Sequence, residues 1–207
     1  MSPMAEQQDL HQLVESMTGE PLWKVMTWSQ IDEPLRSALL EFACHPFTPN
    51  EGVAVAHFLE RITLSKKDLA SLCQGYESLP AERCAPGMSE REFVGQILGQ
   101  NAKRIDPEWV YSTLKADLSG TGVGLMMHLW RSPMSRERKV ELVRRALREC
   151  RFDTFGAIVT ARRGRLHEVC PDLVAFSASP DNPRELRREA RAAVAKLQAS
   201  VPGADTQ

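Results

Sequence analysis

The sequence predicts an all-α fold, either an irregular multi-helix bundle or a short stack of helical hairpins of the HEAT or armadillo kind. Three observations carry this expectation. Apolar residues recur at i, i+3, i+4 and i+7 through most of the 207 residues. Helix-start signals recur between those stretches: Thr48-Pro49, Asp106-Pro107 and Asn182-Pro183 each read as an N-cap followed by a first-turn proline, whose missing N–H is harmless there. No segment alternates apolar and polar residues as a half-buried strand does. At 43% hydrophobic, the chain has enough apolar side chains for a sizeable core, and one domain over residues 1–200 is expected.

The elements follow in order. Leu10, Leu13, Val14 and Met17 share one face of a helix over 5–18. The segment 21–28, with Trp23 and Trp28, is apolar on nearly every side, so it is either buried or covered by a partner. Asp32 before Glu33-Pro34 opens a helix over 33–44. Thr48 opens 49–63, where Val55, Phe58, Leu59 and Ile62 form the stripe. Ser65 and Asp68 have capping-box spacing ahead of 66–78, as do Ser89 and Glu92 ahead of 90–105. Further helices are expected over 107–118 and 122–131, the second carrying Leu125 to Trp130 as a central core element. Ser135 opens 136–150, with Val140, Val143, Leu147 and Cys150 inward, and Asp153 opens 154–163. Helices over 166–178 and 183–199 complete the set, the last with Leu186, Ala190, Val194 and Leu197 on one face. Leu79 to Met88 is the longest loop and the best internal boundary, and the tail 201–207 is expected to fray.

The near-zero net charge of -1 hides a gradient. Residues 1–60 hold nine acids against two bases, a net of -7, whereas 121–170 hold eleven bases against five acids, a net of +6. A fold that keeps these segments apart has an acidic end and a basic patch. No apolar run approaches the roughly 20 residues of a membrane span, and the N-terminus has no basic n-region and no apolar h-region. The five cysteines, Cys44, Cys73, Cys84, Cys150 and Cys170, are odd in number and widely spaced. They read as mostly buried thiols in a reducing, cytoplasmic compartment rather than a disulfide framework.

Few motifs carry chemistry. Ser119-Gly-Thr-Gly-Val-Gly124 is glycine-rich, yet a phosphate loop needs Lys-Ser/Thr after the last glycine and a strand before it. It reads instead as a tight turn between helices that needs small residues. His167-Glu-Val-Cys170 begins like a zinc-protease motif but lacks the second histidine, and Cys73, Cys84, His45 and His57 are scattered singly. Cys44 and His45 are neighbours in sequence, which on a helix points them about 100° apart. No metal site and no cofactor loop is expected.

The arginines are the most suggestive feature. Arg144, Arg148 and Arg151 lie at i, i+4 and i+7, and Arg162, Arg163 and Arg165 end the next helix. Glu137, Glu141 and Glu149 are interleaved with them, and the sequence pI is about 6.5, low for a nucleic-acid domain. The first expectation is therefore a non-enzymatic, cytoplasmic protein-binding module. In this reading Arg144, Arg148, Arg151, Arg162, Arg163 and Arg165 meet an acidic protein surface. A nucleic-acid-binding regulator using the same arginines is the second reading. An enzyme whose site is assembled from scattered residues is the third.

Overall fold

Side-chain capping sets where half of these helices begin. The computed structural model describes residues 9–28, 30–45, 48–80, 90–117, 120 and 122–200. Among them the chain is an all-α multi-helix bundle, with twelve α-helices, two 3-10 turns and no strand. The helices are α1 (Leu10–Thr18), α2 (Leu22–Val25), α3 (Glu33–Phe42), α4 (Pro49–Arg61), α5 (Lys66–Ser78) and α6 (Glu90–Gln100). They continue as α7 (Pro107–Ala116), α8 (Val123–His128), α9 (Arg136–Glu149), α10 (Thr154–Arg163), α11 (Cys170–Ala178) and α12 (Arg184–Ala199). Thr48 and Ser65 close full capping boxes with Glu51 and Asp68, and Asp32, Asp106 and Ser135 each accept a first-turn N–H. Ser89, Cys84 and the tail 201–207 lie outside the described residues.

Several boundaries differ from expectation, each for a local reason. The second helix is only Leu22–Val25, and Trp23 in it is 71% exposed rather than buried. Arg61 reaches back from α4 to the carbonyls of Met26 and Trp28, which draws the chain away from helical geometry. Beyond α6, the Asn101 side chain donates to the Ile97 carbonyl and its own N–H is split between Ile97 and Leu98, so residues 101–105 turn instead of continuing. Leu129–Arg131 tightens into a 3-10 turn after α8. A second 3-10 turn, His167–Val169, precedes α11, which carries Pro171 in its first turn. Pro183 stands at the N-cap of α12 itself, because the Asn182 amide is spent on the Phe176 carbonyl at 2.8 Å. Cys150 leaves α9 with φ 46° and is exposed, so the apolar stripe of that helix ends at Leu147.

The buried apolar side chains run in one continuous cluster from Leu10 to Leu197. Its middle is built from α6, α8 and α10, and α8 packs on both neighbours more extensively than any other pair except α11 and α12. These contacts are made backbone to backbone through glycine. A Cβ at Gly124 in α8 would overlap the Gln96 amide and lie 2.5 Å from the Gly95 carbonyl carbon in α6. A Cβ at Gly99 would overlap the Gly124 carbonyl, and one at Gly156 in α10 would lie 2.8 Å from the Met127 amide. One turn beyond Gly156, the buried Thr160 hydroxyl donates to the Met126 carbonyl at 2.5 Å. Each glycine costs a helix roughly 0.5–1 kcal/mol relative to alanine. Leu125, Met126 and Leu129, buried on this short helix, offset that cost.

The acidic segment α1–α4 packs on α6, and α6 and α8 stand between it and α9–α12. The acidic N-terminal helices thus reach the centre through α4 on α6, whereas the arginine-rich α9 reaches it through α10. No helix of the described residues is long and apolar enough to cross a membrane.

Gly124→Ala is expected to lower the unfolding free energy by about 3 kcal/mol, because the obstructing atoms are backbone and cannot rotate aside. Gly19→Ala is the control: its Cβ meets nothing within 4 Å, so only the left-handed φ of 70° is penalised, by roughly 1 kcal/mol. Urea titrations of both variants measure the difference. Equal losses would show that the helix crossing does not depend on glycine.

Candidate functional site

Helix α9 is amphipathic, and its two sides do different work. Val140, Leu142, Val143, Ala146 and Leu147 face the core. The opposite side lines an open groove of about 680 Å³ together with Glu168, and its charged residues are four arginines (136, 144, 145, 148) and, with Glu168, four glutamates (137, 141, 149, 168).

Side chains from both flanks hold this face in place. On one side Arg136 grips Glu168 with two bonds, of 2.6 and 2.9 Å, and also donates to the Arg165 carbonyl at 2.5 Å. This pairing holds the Glu168 carboxyl below its usual range. Arg144 donates to Asp172 at 3.0 Å and to the Glu168 carbonyl at 2.7 Å, tying α9 to α11. On the other side Glu141 accepts from the Tyr111 hydroxyl at 2.8 Å and pairs with Lys115 at 3.3 Å, and Arg138 pairs with Glu108, tying α9 to α7. These Tyr111 and Lys115 contacts lower the Glu141 pKa. Two groups remain lightly engaged. Arg148, 71% exposed, makes a single long contact of 3.4 Å to Asp172. Exposed Glu137 is held low by its own backbone N–H and by Ser135 at the start of the helix.

The six arginines singled out by sequence fall into three places. Arg144 and Arg148 stand together on the outer face of α9. Arg151 turns inward, with a side chain only 6% exposed against the fully buried Asp153. It meets both Asp153 oxygens, at 3.2 and 2.7 Å, and donates to the Asp117 carbonyl at 2.5 Å. Asp153 therefore serves this pair rather than capping α10, and burial pushes its carboxyl up despite the arginine. Arg162 lies 3.9 Å from Glu189, Arg163 stacks 5.7 Å from the Trp130 ring, and Arg165 is exposed with φ 51°. Because α10 runs back along α9, these three sit at the Arg136 end of the pair, roughly 20 Å along the axis from Arg148.

The glycine-rich turn does bind an anion, but an internal one. The Gly120 and Gly122 amides donate to the buried Asp117 carboxylate at 3.0 and 2.7 Å, and Gly120 has φ 80°. Leu118, Ser119 and Thr121 lie outside the described residues. The cysteines and histidines of the scattered candidates stay apart: among the described residues no three His, Cys, Asp or Glu side chains converge as metal ligands. Burial pushes the Cys73 thiol up to about 12 and raises Cys44 as well, so neither is a thiolate at neutral pH. Sequence reasoning missed Glu168, Asp172, Tyr111 and Lys115 as neighbours of α9, since only pairs within one helix can be read from spacing.

Both ring nitrogens of His128 are buried without a hydrogen-bond partner, near Arg131 and Arg163. Burial first, and then the two arginine charges, hold His128 below the usual imidazole value. The unfolded chain takes up this proton near pH 6.5, the folded chain only at lower pH. Between those values the unfolded state binds more protons, so the stability due to neutral His128 is fully present above about pH 6.5 and is lost as pH falls below it. His128→Gln is expected to flatten the fall in unfolding free energy between about pH 6.5 and pH 5 relative to the parent chain. Parallel slopes in denaturant titrations across that range would remove His128 as the cause.

Arg151→Met is expected to cost about 3 kcal/mol or more in the same type of titration, because it leaves Asp153 buried without its partner. A loss below about 1 kcal/mol, the worth of an exposed ion pair, would contradict this.

No family model, curated protein or solved structure matches the chain.

Proposed function

We propose that this chain is a non-enzymatic protein-binding module whose working surface is the outer face of α9. The observation that supports this most directly is the arrangement of charge there. Arginines and glutamates line one open groove in equal number, and Arg136, Arg144 and Glu141 among them are braced by Glu168, Asp172 and Tyr111, so that their positions are set before a partner arrives. Preorganised side chains lose less conformational entropy on binding. The partner presents acids to Arg144 and Arg148 and bases to Glu137 and Glu141. A nucleic-acid backbone fits less well, because every phosphate laid along the groove would also meet a glutamate. The free thiols Cys44, Cys73, Cys150 and Cys170 suit a reducing compartment such as the cytoplasm.

Arg148→Glu is the cleanest probe, because this side chain has only one long internal contact and its reversal is expected to change stability by no more than about 0.5 kcal/mol. Capture from native lysate by the parent chain is expected to retain a stoichiometric protein after nuclease treatment. Arg148→Glu is expected to lose that protein while melting at the parent temperature. A partner retained by the variant would take the α9 face out of the interface, and one lost on nuclease treatment would favour nucleic acid.

A further inference from the structure

The charges on α9 follow a pattern that narrows the partner. Glu137, Glu141, Arg144 and Arg148 are spaced four, three and four residues apart, the spacing of a coiled-coil seam, and all four line the groove. Their signs reverse about the midpoint between Leu142 and Val143: Glu137 mirrors Arg148, Glu141 mirrors Arg144, and outside them Arg136 mirrors Glu149. A face with this property is complementary to itself when turned end for end. We infer that the partner of this face is a second copy of the chain, docked α9 against α9 in antiparallel orientation around a two-fold axis.

This inference rests on the reading of α9 as the working surface. In the antiparallel arrangement Glu137 of one copy faces Arg148 of the other, and Glu141 faces Arg144. Symmetry makes each pair twice. A parallel, in-register arrangement sets glutamate on glutamate and arginine on arginine, so electrostatics alone selects the orientation. The internal bonds leave room for these contacts. Arg148 uses one donor of five and Glu137 only caps its own helix, so the outer pair is nearly unspent. Glu141 and Arg144 keep their ties to Lys115 and Asp172 and extend them into a network across the axis. Val140, buried at the border of the core-facing side, is the sole apolar residue among those lining the groove. Charged pairs give back in desolvation much of what they gain, so the dimer is weak, reversible and sensitive to salt.

Sedimentation equilibrium of the purified full chain tests this. The expected result is a monomer–dimer equilibrium whose dissociation constant rises at least tenfold between about 50 and 500 mM salt. Glu137→Arg and Arg148→Glu each place like charges at two points of the interface, and each is expected to weaken self-association roughly tenfold or more. Mixed in equal amounts, the two variants restore both ion pairs and are expected to associate within about threefold of the parent. Neither side chain makes more than local or long contacts within the fold, and both variants are expected to melt near the parent temperature by circular dichroism. Three results would overturn the dimer: a parent chain monomeric at about 0.5 mM in low salt, reversals that leave the constant unchanged, or a mixture that does not recover. A monomeric parent chain that still captures an Arg148-dependent partner from lysate would leave the α9 interface standing and remove only the second copy.

Discussion

The close crossing of α6, α8 and α10 is the constraint on which the rest of the bundle depends. Side chains normally hold packed helices 8–10 Å apart. Here Gly99, Gly124 and Gly156 remove them, and backbone meets backbone. Helix α8 is only six residues long, too short to persist alone, and it exists because it is clasped on both sides. The helices outside this trio pack in two groups: α4 and α5 with the acidic N-terminal helices on α6, and α9 and α12 on α10.

The connection into α8 shows how buried polar groups are used to shape a turn. Asp117 gathers the Gly120 and Gly122 amides, while its backbone carbonyl accepts from Arg151, whose guanidinium is clamped by Asp153. One carboxylate shapes the turn, and one ion pair joins that turn to the α9–α10 hairpin. Buried charges of this kind specify a geometry more than they add stability, since desolvation offsets most of the attraction.

The outer face of α9 has the opposite character. Its charges are exposed, its pairs are bridged to α7 and α11, and its free capacity lies at Arg148 and Glu137. Individually such pairs contribute little to stability. Their value lies in selecting what can dock, because an arrangement of fixed signs repels most alternatives.

Fold class, helix number and most helix starts were legible in the sequence, because they rest on local physics. An N-cap such as Thr48, Ser65 or Ser135 satisfies amides within its own first turn, and an apolar stripe such as Val55, Phe58 and Leu59 needs only the helical period to declare itself. The glycine-rich turn was legible as a turn, but not the carboxylate that fills it. What the tertiary structure alone decided is which way equivalent arginines point. Arg148 and Arg151 are three residues apart and chemically identical, yet one is open to solvent and the other is sealed against Asp153. The break at Cys150, with its left-handed φ, turns the chain between them, and Asp117 and Asp172 arrive from elements more than twenty residues away. Sequence spacing records neighbours along one helix; partners brought by other helices are set by packing, and those partners separate a structural arginine from one available for binding.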